Sequence, residues 1–161
     1  MQTLQGRMKY LRNGEAFACV VMPAVFYFKW ERAAEPVAWG MRTAALIFVC
    51  YILLQGILYW QLKLQTVVQR QPLPAYFQPL YRFFKYSNFF AIAAVAAFIA
   101  ATSATATQAD LIWSCSLLAL GVLEQINYYH YQLMYDTRAA WGYLRRNRKL
   151  RRAALGVDLE R

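Results

Sequence analysis

Apolar runs separated by short polar segments organise this chain. Residues 43–62, "TAALIFVCYILLQGILYWQL", hold Gln55 as their only strongly polar interior residue and lie between Arg42 and Lys63. A membrane-crossing helix takes about 20 mostly apolar residues at 1.5 Å rise each, so this run predicts one. Pro36 suits a first helical turn, where its missing N–H costs nothing, and predicts a helix start ahead of the membrane. A second run, 86–106, carries alanines at four-residue intervals: Ala93, Ala97 and Ala101, and Ala96, Ala100 and Ala104. Small residues at that spacing let backbones approach closely in lipid, which predicts a helix packed inside a bundle. A third run begins at Leu111, and no Gly or Pro follows Gly121 until Gly142. It predicts one long helix from about Asp110 to beyond Tyr135, paired tightly with the preceding helix across a short 107–110 loop.

The remaining run, 16–28, "AFACVVMPAVFYF", is shorter. Thirteen residues cover only about 20 Å of a core about 30 Å thick, and Pro23 removes an internal hydrogen bond. A short crossing helix, a re-entrant segment and a signal peptide all compete for it. The signal reading fails because Lys29-Trp30-Glu31-Arg32 follows with no small-x-small cleavage pattern.

Charge separates the other two. With four crossings and both termini in the cytoplasm, 15 of the 18 Lys and Arg residues lie inside and only Lys29, Arg32 and Arg42 outside; three crossings give 12 against 6. The positive-inside rule therefore favours four. Tryptophans agree: Trp30, Trp39 and Trp113 fall near the outer interface, Trp60 near the inner one and Trp141 just past it, the levels indole rings prefer. The expected fold is all-α, an integral-membrane four-helix bundle with spans near 14–30, 43–62, 86–106 and 111–133. A basic cytoplasmic helical extension over 136–161 completes a single domain.

Composition supports this class. The chain has 161 residues, 60% hydrophobic and 16% charged, whereas soluble domains run near 45–50% and 25%. Cys19, Cys50 and Cys115 sit in separate apolar runs with no CxxC pair and no zinc-like Cys/His spacing, so they read as packed thiols. No metal site and no cofactor is expected.

The stretch "LGVLEQINYYHYQLMYD" places Glu124, Asn127 and His130 at intervals of three, sharing one face of the expected helix, with Tyr131 beside them. A charged group at a helix centre costs about 2.5–3.5 kcal/mol on insertion scales, so such a residue is a functional-site hypothesis by default. Candidate partners for Glu124 are Lys63, Gln55, His130 and the hydroxyls of Tyr128, Tyr131 and Tyr135. Three readings stand: hydrogen-bonded glue between helices, a pocket for a lipid headgroup or small ligand, and a proton-responsive site with Glu124 and His130.

The pattern Glu-x-x-Asn-Tyr-Tyr-His-x-Gln-Leu followed by Tyr-Asp resembles the last-helix segment of small uncharacterised bacterial four-helix membrane proteins, some labelled general stress protein. The resemblance covers about fifteen residues. It implies a bacterial inner-membrane protein and carries no catalytic role to any residue.

Two segments bear on partners. "YFQPLYRFFKY" reads first as a plain anchor flanking a span, and alternatively as a segment lying along the interface with Arg82 and Lys85 toward lipid phosphates. Residues 145–152, "RRNRKLRR", place Arg145, Arg146, Arg148, Lys149, Arg151 and Arg152 just inside the last crossing, where anionic lipid attracts each charge by about 1 kcal/mol. Leu144, Leu150 and Leu155 suggest an apolar stripe along the same segment. The bland reading of the cluster is a topology anchor. Nucleic acid is a poor match, because no recognition fold accompanies the charge.

Gly-rich phosphate loops, GxSxG and HExxH are absent. The expected function is that of a small interaction or accessory protein organising partners, copies of itself or anionic lipid at the inner leaflet. A transporter, channel or proton-linked subunit using Glu124 is the alternative, and an intramembrane lipid enzyme a further one.

Overall fold

A computed structural model describes residues 4–135 and 138–161 of the chain. Four long helices dominate it: α1 (Leu4–Glu31), α2 (Trp39–Gln69), α3 (Phe77–Thr102) and α4 (Gln108–Tyr129). A 3-10 turn, Ser103–Thr105, follows α3, and two short helices, α5 (Arg138–Asn147) and α6 (Ala154–Leu159), end the chain. Helices α2, α3 (with its 3-10 turn) and α4 are long and apolar enough to cross a membrane.

Local chemistry sets these boundaries. Helix α2 ends where Arg70 turns left-handed (φ 54°), ahead of Pro72 and Pro74. Pro79 falls in the first turn of α3, where no intrahelical N–H bond is lost. Thr107 caps α4 reciprocally with Asp110: the Asp110 amide donates to the Thr107 hydroxyl, and the Thr107 amide donates to the Asp110 carboxylate.

Helix α2 is the hub, with α1, α3 and α4 all packed on it. One apolar cluster, at the end carrying Trp30, joins that ring to Ala45, Leu46, Val49, Leu53 and Leu117. The other, at the opposite or basal end, gathers Tyr59, Leu62, Phe77, Tyr81, Tyr128 and Tyr129 with Leu155 and Leu159.

Several expectations need correction. The run at 16–28 is part of a 28-residue helix, about 42 Å long, because Pro23 is accommodated within it. The carbonyl of Cys19, which Pro23 leaves without its usual partner, faces the Cys50 thiol at 4.0 Å. Helix α2 starts at Trp39, not near Pro36. Helix α3 is peripheral, not internal: Ile92, Val95 and Ile99 turn inward, while Ala93, Ala96, Ala97, Ala100 and Ala101 are exposed.

The largest difference is at the end of α4. The helix stops at Tyr129 and does not run past Tyr135. Both the His130 and Tyr131 amides fold back on the Ile126 carbonyl, and the Asn127 side chain accepts from the Leu133 amide. The chain then pairs with its own C-terminal segment. Tyr131 and Arg152 form an antiparallel bridge, Gln132 donates to the Arg151 carbonyl, and Ala153 donates to the His130 carbonyl. These tertiary bonds replace those that further helix would have made, which is why the sequence shows no Gly or Pro at the stop.

The C-terminal region is therefore no continuous helical extension. Leu144, Leu150 and Leu155 form no shared stripe, because α5 ends at Asn147 and α6 starts at Ala154: Leu150 is exposed and Leu155 buried. Helix α6 folds back under the basal end, burying Ala153, Leu155, Gly156, Asp158 and Leu159. A Cβ on Gly156 would sit 2.5 Å from the Tyr129 carbonyl oxygen, so only glycine permits this approach.

Candidate functional site

Polar side chains of the long helices meet at one level. Glu15, Gln55 and Glu124 each lie sixteen residues, about 24 Å, from the Trp30-end terminus of their helix. Asn88 on α3 lies about 21 Å from Thr102.

Two groups form at this level. In the first, Gln55 and Asn88 exchange two amide hydrogen bonds of 2.8 and 3.0 Å. Asn88 also donates to the Gln125 side-chain carbonyl (2.6 Å), and Tyr129 donates to that of Gln55 (2.8 Å). Tyr81 donates to the Gln55 backbone carbonyl. The ring ties α2, α3 and α4 together in a buried, directional way, and each such bond is worth about 0.6 kcal/mol on average in a membrane. The donor of that side chain, Gln125 Nε2, has no partner among the described residues.

In the second group, Trp60 donates to Glu15 at 3.0 Å. The other Glu15 oxygen and the Tyr128 hydroxyl both pack over Gly56, whose missing side chain lets α1, α2 and α4 converge. Glu124 accepts from Asn127 at 3.2 Å. Among the described residues neither Glu15 nor Glu124 is in an ion pair.

Glu124 thus bonds Asn127 and none of the partners expected from sequence. Lys63 pairs with Asp158 instead, and Gln55 belongs to the amide ring. His130 is the C-cap of α4, its amide donating to the Ile126 carbonyl. Burial and the nearby Lys85 charge hold its imidazole below the ordinary histidine range. Tyr131 is half-exposed and sits in the bridge to Arg152.

At the Trp30 end, Arg42 and Asp110 form a buried ion pair of 2.7 Å. Asp110 also accepts from the Ala38 amide, and Arg42 lies over the Trp30 ring. This clasp fixes the α1–α2 connection to the start of α4.

The basal end carries most of the basic residues. Asp158 of α6 accepts from Tyr59 at 2.8 Å and pairs with Lys63. Arg152 makes a two-pronged pair with Glu160, which holds the Glu160 carboxyl below the usual carboxylate range. Arg145, Arg146, Arg148, Lys149 and Arg151 are exposed around α5 and the segment after it, as are Trp141 and Tyr143. On α3, Arg82 bonds Gln78, and Arg82 and Lys85 face Leu159 and Glu160 across a cleft.

Sequence reasoning missed Glu15, Asn88, Gln125 and Asp158. Asn88 and Gln125 carried one usable signal: an amide inside an apolar run, the same feature that singled out Gln55. No family model, curated protein or solved structure matches the chain.

Proposed function

We propose that this is a four-crossing protein of a bacterial inner membrane, with both termini cytoplasmic, that organises anionic lipid or protein partners at the inner leaflet. In this reading α1 is the fourth crossing: it is long enough, and its Arg7, Lys9 and Arg12 gather at the basal end with the other cations. The observation that carries the reading is α5. It stands apart from the packed helices, with Trp141, Tyr143 and Leu144 on one side and Arg145 and Arg146 on the other. Such an amphipathic helix lies flat in a headgroup layer, rings down and cations toward phosphate. The exposed alanine face of α3 is available to a second copy or a partner helix.

A nitroxide at position 143 (Tyr143→Cys, other cysteines replaced) tests this in vesicles. The label should report shallow burial that deepens when phosphatidylglycerol replaces phosphatidylcholine. A label equally water-exposed in both would remove the reading.

A second reading, proton-linked transport, draws on Glu15 and Glu124, two carboxyl groups deep in the helices with Trp60, Tyr128 and Asn127 as neighbours rather than cations. Glu124→Gln should abolish any pH-dependent flux through the reconstituted protein; flux that survives unchanged would end this reading.

A further inference from the structure

The cleft between the basal end of α3 and α6 is lined by Arg82, Lys85, Tyr86, Leu159 and Glu160. Its charge is not balanced from within. Among the described residues Glu160 is the only carboxylate lining it and is held by Arg152, and Asp158 is turned to Tyr59 and Lys63. Arg82, which also donates to Gln78, and Lys85, close enough for its charge to act on Glu160 and His130, are therefore in excess, two cations three residues apart on one helix.

Depth and surroundings are specific. Arg82 lies twenty residues, and Lys85 seventeen, from Thr102, about 30 Å and 26 Å along α3. The hydrocarbon core is about 30 Å thick, so these cations fall at headgroup level when the Thr102 end reaches the other interface. Toward the membrane centre the same helix exposes Phe89 and Phe90, an apolar face for acyl chains. The cleft holds about 330 Å³, room for roughly ten waters at ~30 Å³ each, which suffices for a phosphodiester and part of its glycerol.

We infer that this cleft is a binding site for the headgroup of one anionic phospholipid. Its phosphate sits between the Arg82 guanidinium and the Lys85 ammonium, Leu159 forms the floor, and the chains descend along Phe89 and Phe90. Arginine contributes a planar fork of donors suited to phosphate and lysine a point charge. The inference rests on the membrane placement proposed above, but on residues separate from α5.

The test uses the full chain, stripped of lipid in mild detergent, with bound lipid counted by native mass spectrometry. Phosphatidylglycerol should bind the wild type at one saturable site. The pair Arg82→Gln and Lys85→Gln together should weaken it about tenfold or more, the loss of roughly one charge-assisted contact. The exchange Arg82→Lys with Lys85→Arg keeps both charges and should retain most of the affinity. Lys29→Gln with Arg32→Gln, exposed cations at the opposite end, should leave it unchanged. Equal binding of phosphatidylcholine, displacement by inorganic phosphate alone, an unaffected glutamine pair at positions 82 and 85, or equal loss in the Lys29/Arg32 pair would each overturn the assignment. The label at position 143 reports on α5 independently, so the two proposals fail separately.

Discussion

Tyr59 on α2 donates a 2.8 Å hydrogen bond to Asp158, 99 residues later in the chain. Through that contact, and the Lys63 pair beside it, the last helix becomes part of the packed basal end instead of a loose terminus. Asp158→Asn removes charge-assisted bonds from a buried group and should cost about 1.5–3 kcal/mol. Gly156→Ala sets a methyl against the Tyr129 backbone and should cost about 1–3 kcal/mol by overpacking. Both should lower the unfolding midpoint in detergent and speed amide exchange over residues 153–159. Unchanged exchange in both variants would mean that α6 is not docked.

The Arg42–Asp110 pair sets up a different outcome. Removing one partner of a buried pair leaves the other uncompensated and costs about 3–5 kcal/mol. Asp110→Asn alone should therefore destabilise strongly, while Asp110→Asn with Arg42→Met should recover part of the loss. A double variant equal to the sum of the two single variants in thermal unfolding would argue that the pair carries no coupling.

Cys19 and Cys50 report on α1 against α2. Each thiol lies within 4.0 Å of the other residue's carbonyl oxygen. A short bifunctional thiol reagent should tie the two helices together, so that cleavage in the intervening loop leaves one linked species. Cys115→Ser should not alter the yield. Separated fragments after treatment would contradict the α1–α2 packing.

His130 is the only histidine, so its ring signals in a proton spectrum are unambiguous. It should titrate below the ordinary histidine range, and Lys85→Gln should raise the value part of the way back. A depressed folded-state value means the neutral ring favours the fold. That contribution is present above the ordinary histidine range and is lost as pH falls through it toward the folded value. An ordinary titration unaffected by Lys85→Gln would contradict the contact.

The three apolar helices α2, α3 and α4 were legible because each is a long run whose burial, in lipid or protein, demands helix. Glu124 and Asn127 were also legible as polar residues needing partners. What the sequence hid was tertiary. Asn88 and Gln125 look incidental until Gln55 is seen bonded into the same ring. The stop at Tyr129 has no Gly or Pro because pairing with residues 151–153 produces it. Asp158 was overshadowed by the basic cluster before it, whose charge suggested a topology anchor on a cytoplasmic helical extension. The alanines of α3 satisfy the spacing for close packing, yet spacing does not say which neighbour is packed, and within one chain most of them have none.

The most direct measurement concerns the threading itself. Fuse to each terminus, in separate fusion proteins, a reporter that is active only in the cytoplasm. Activity at both ends, from protein extracted only with detergent, is the result expected of four crossings with the cationic basal end inside. Activity at one end alone, or protein recovered in the aqueous fraction, would contradict it.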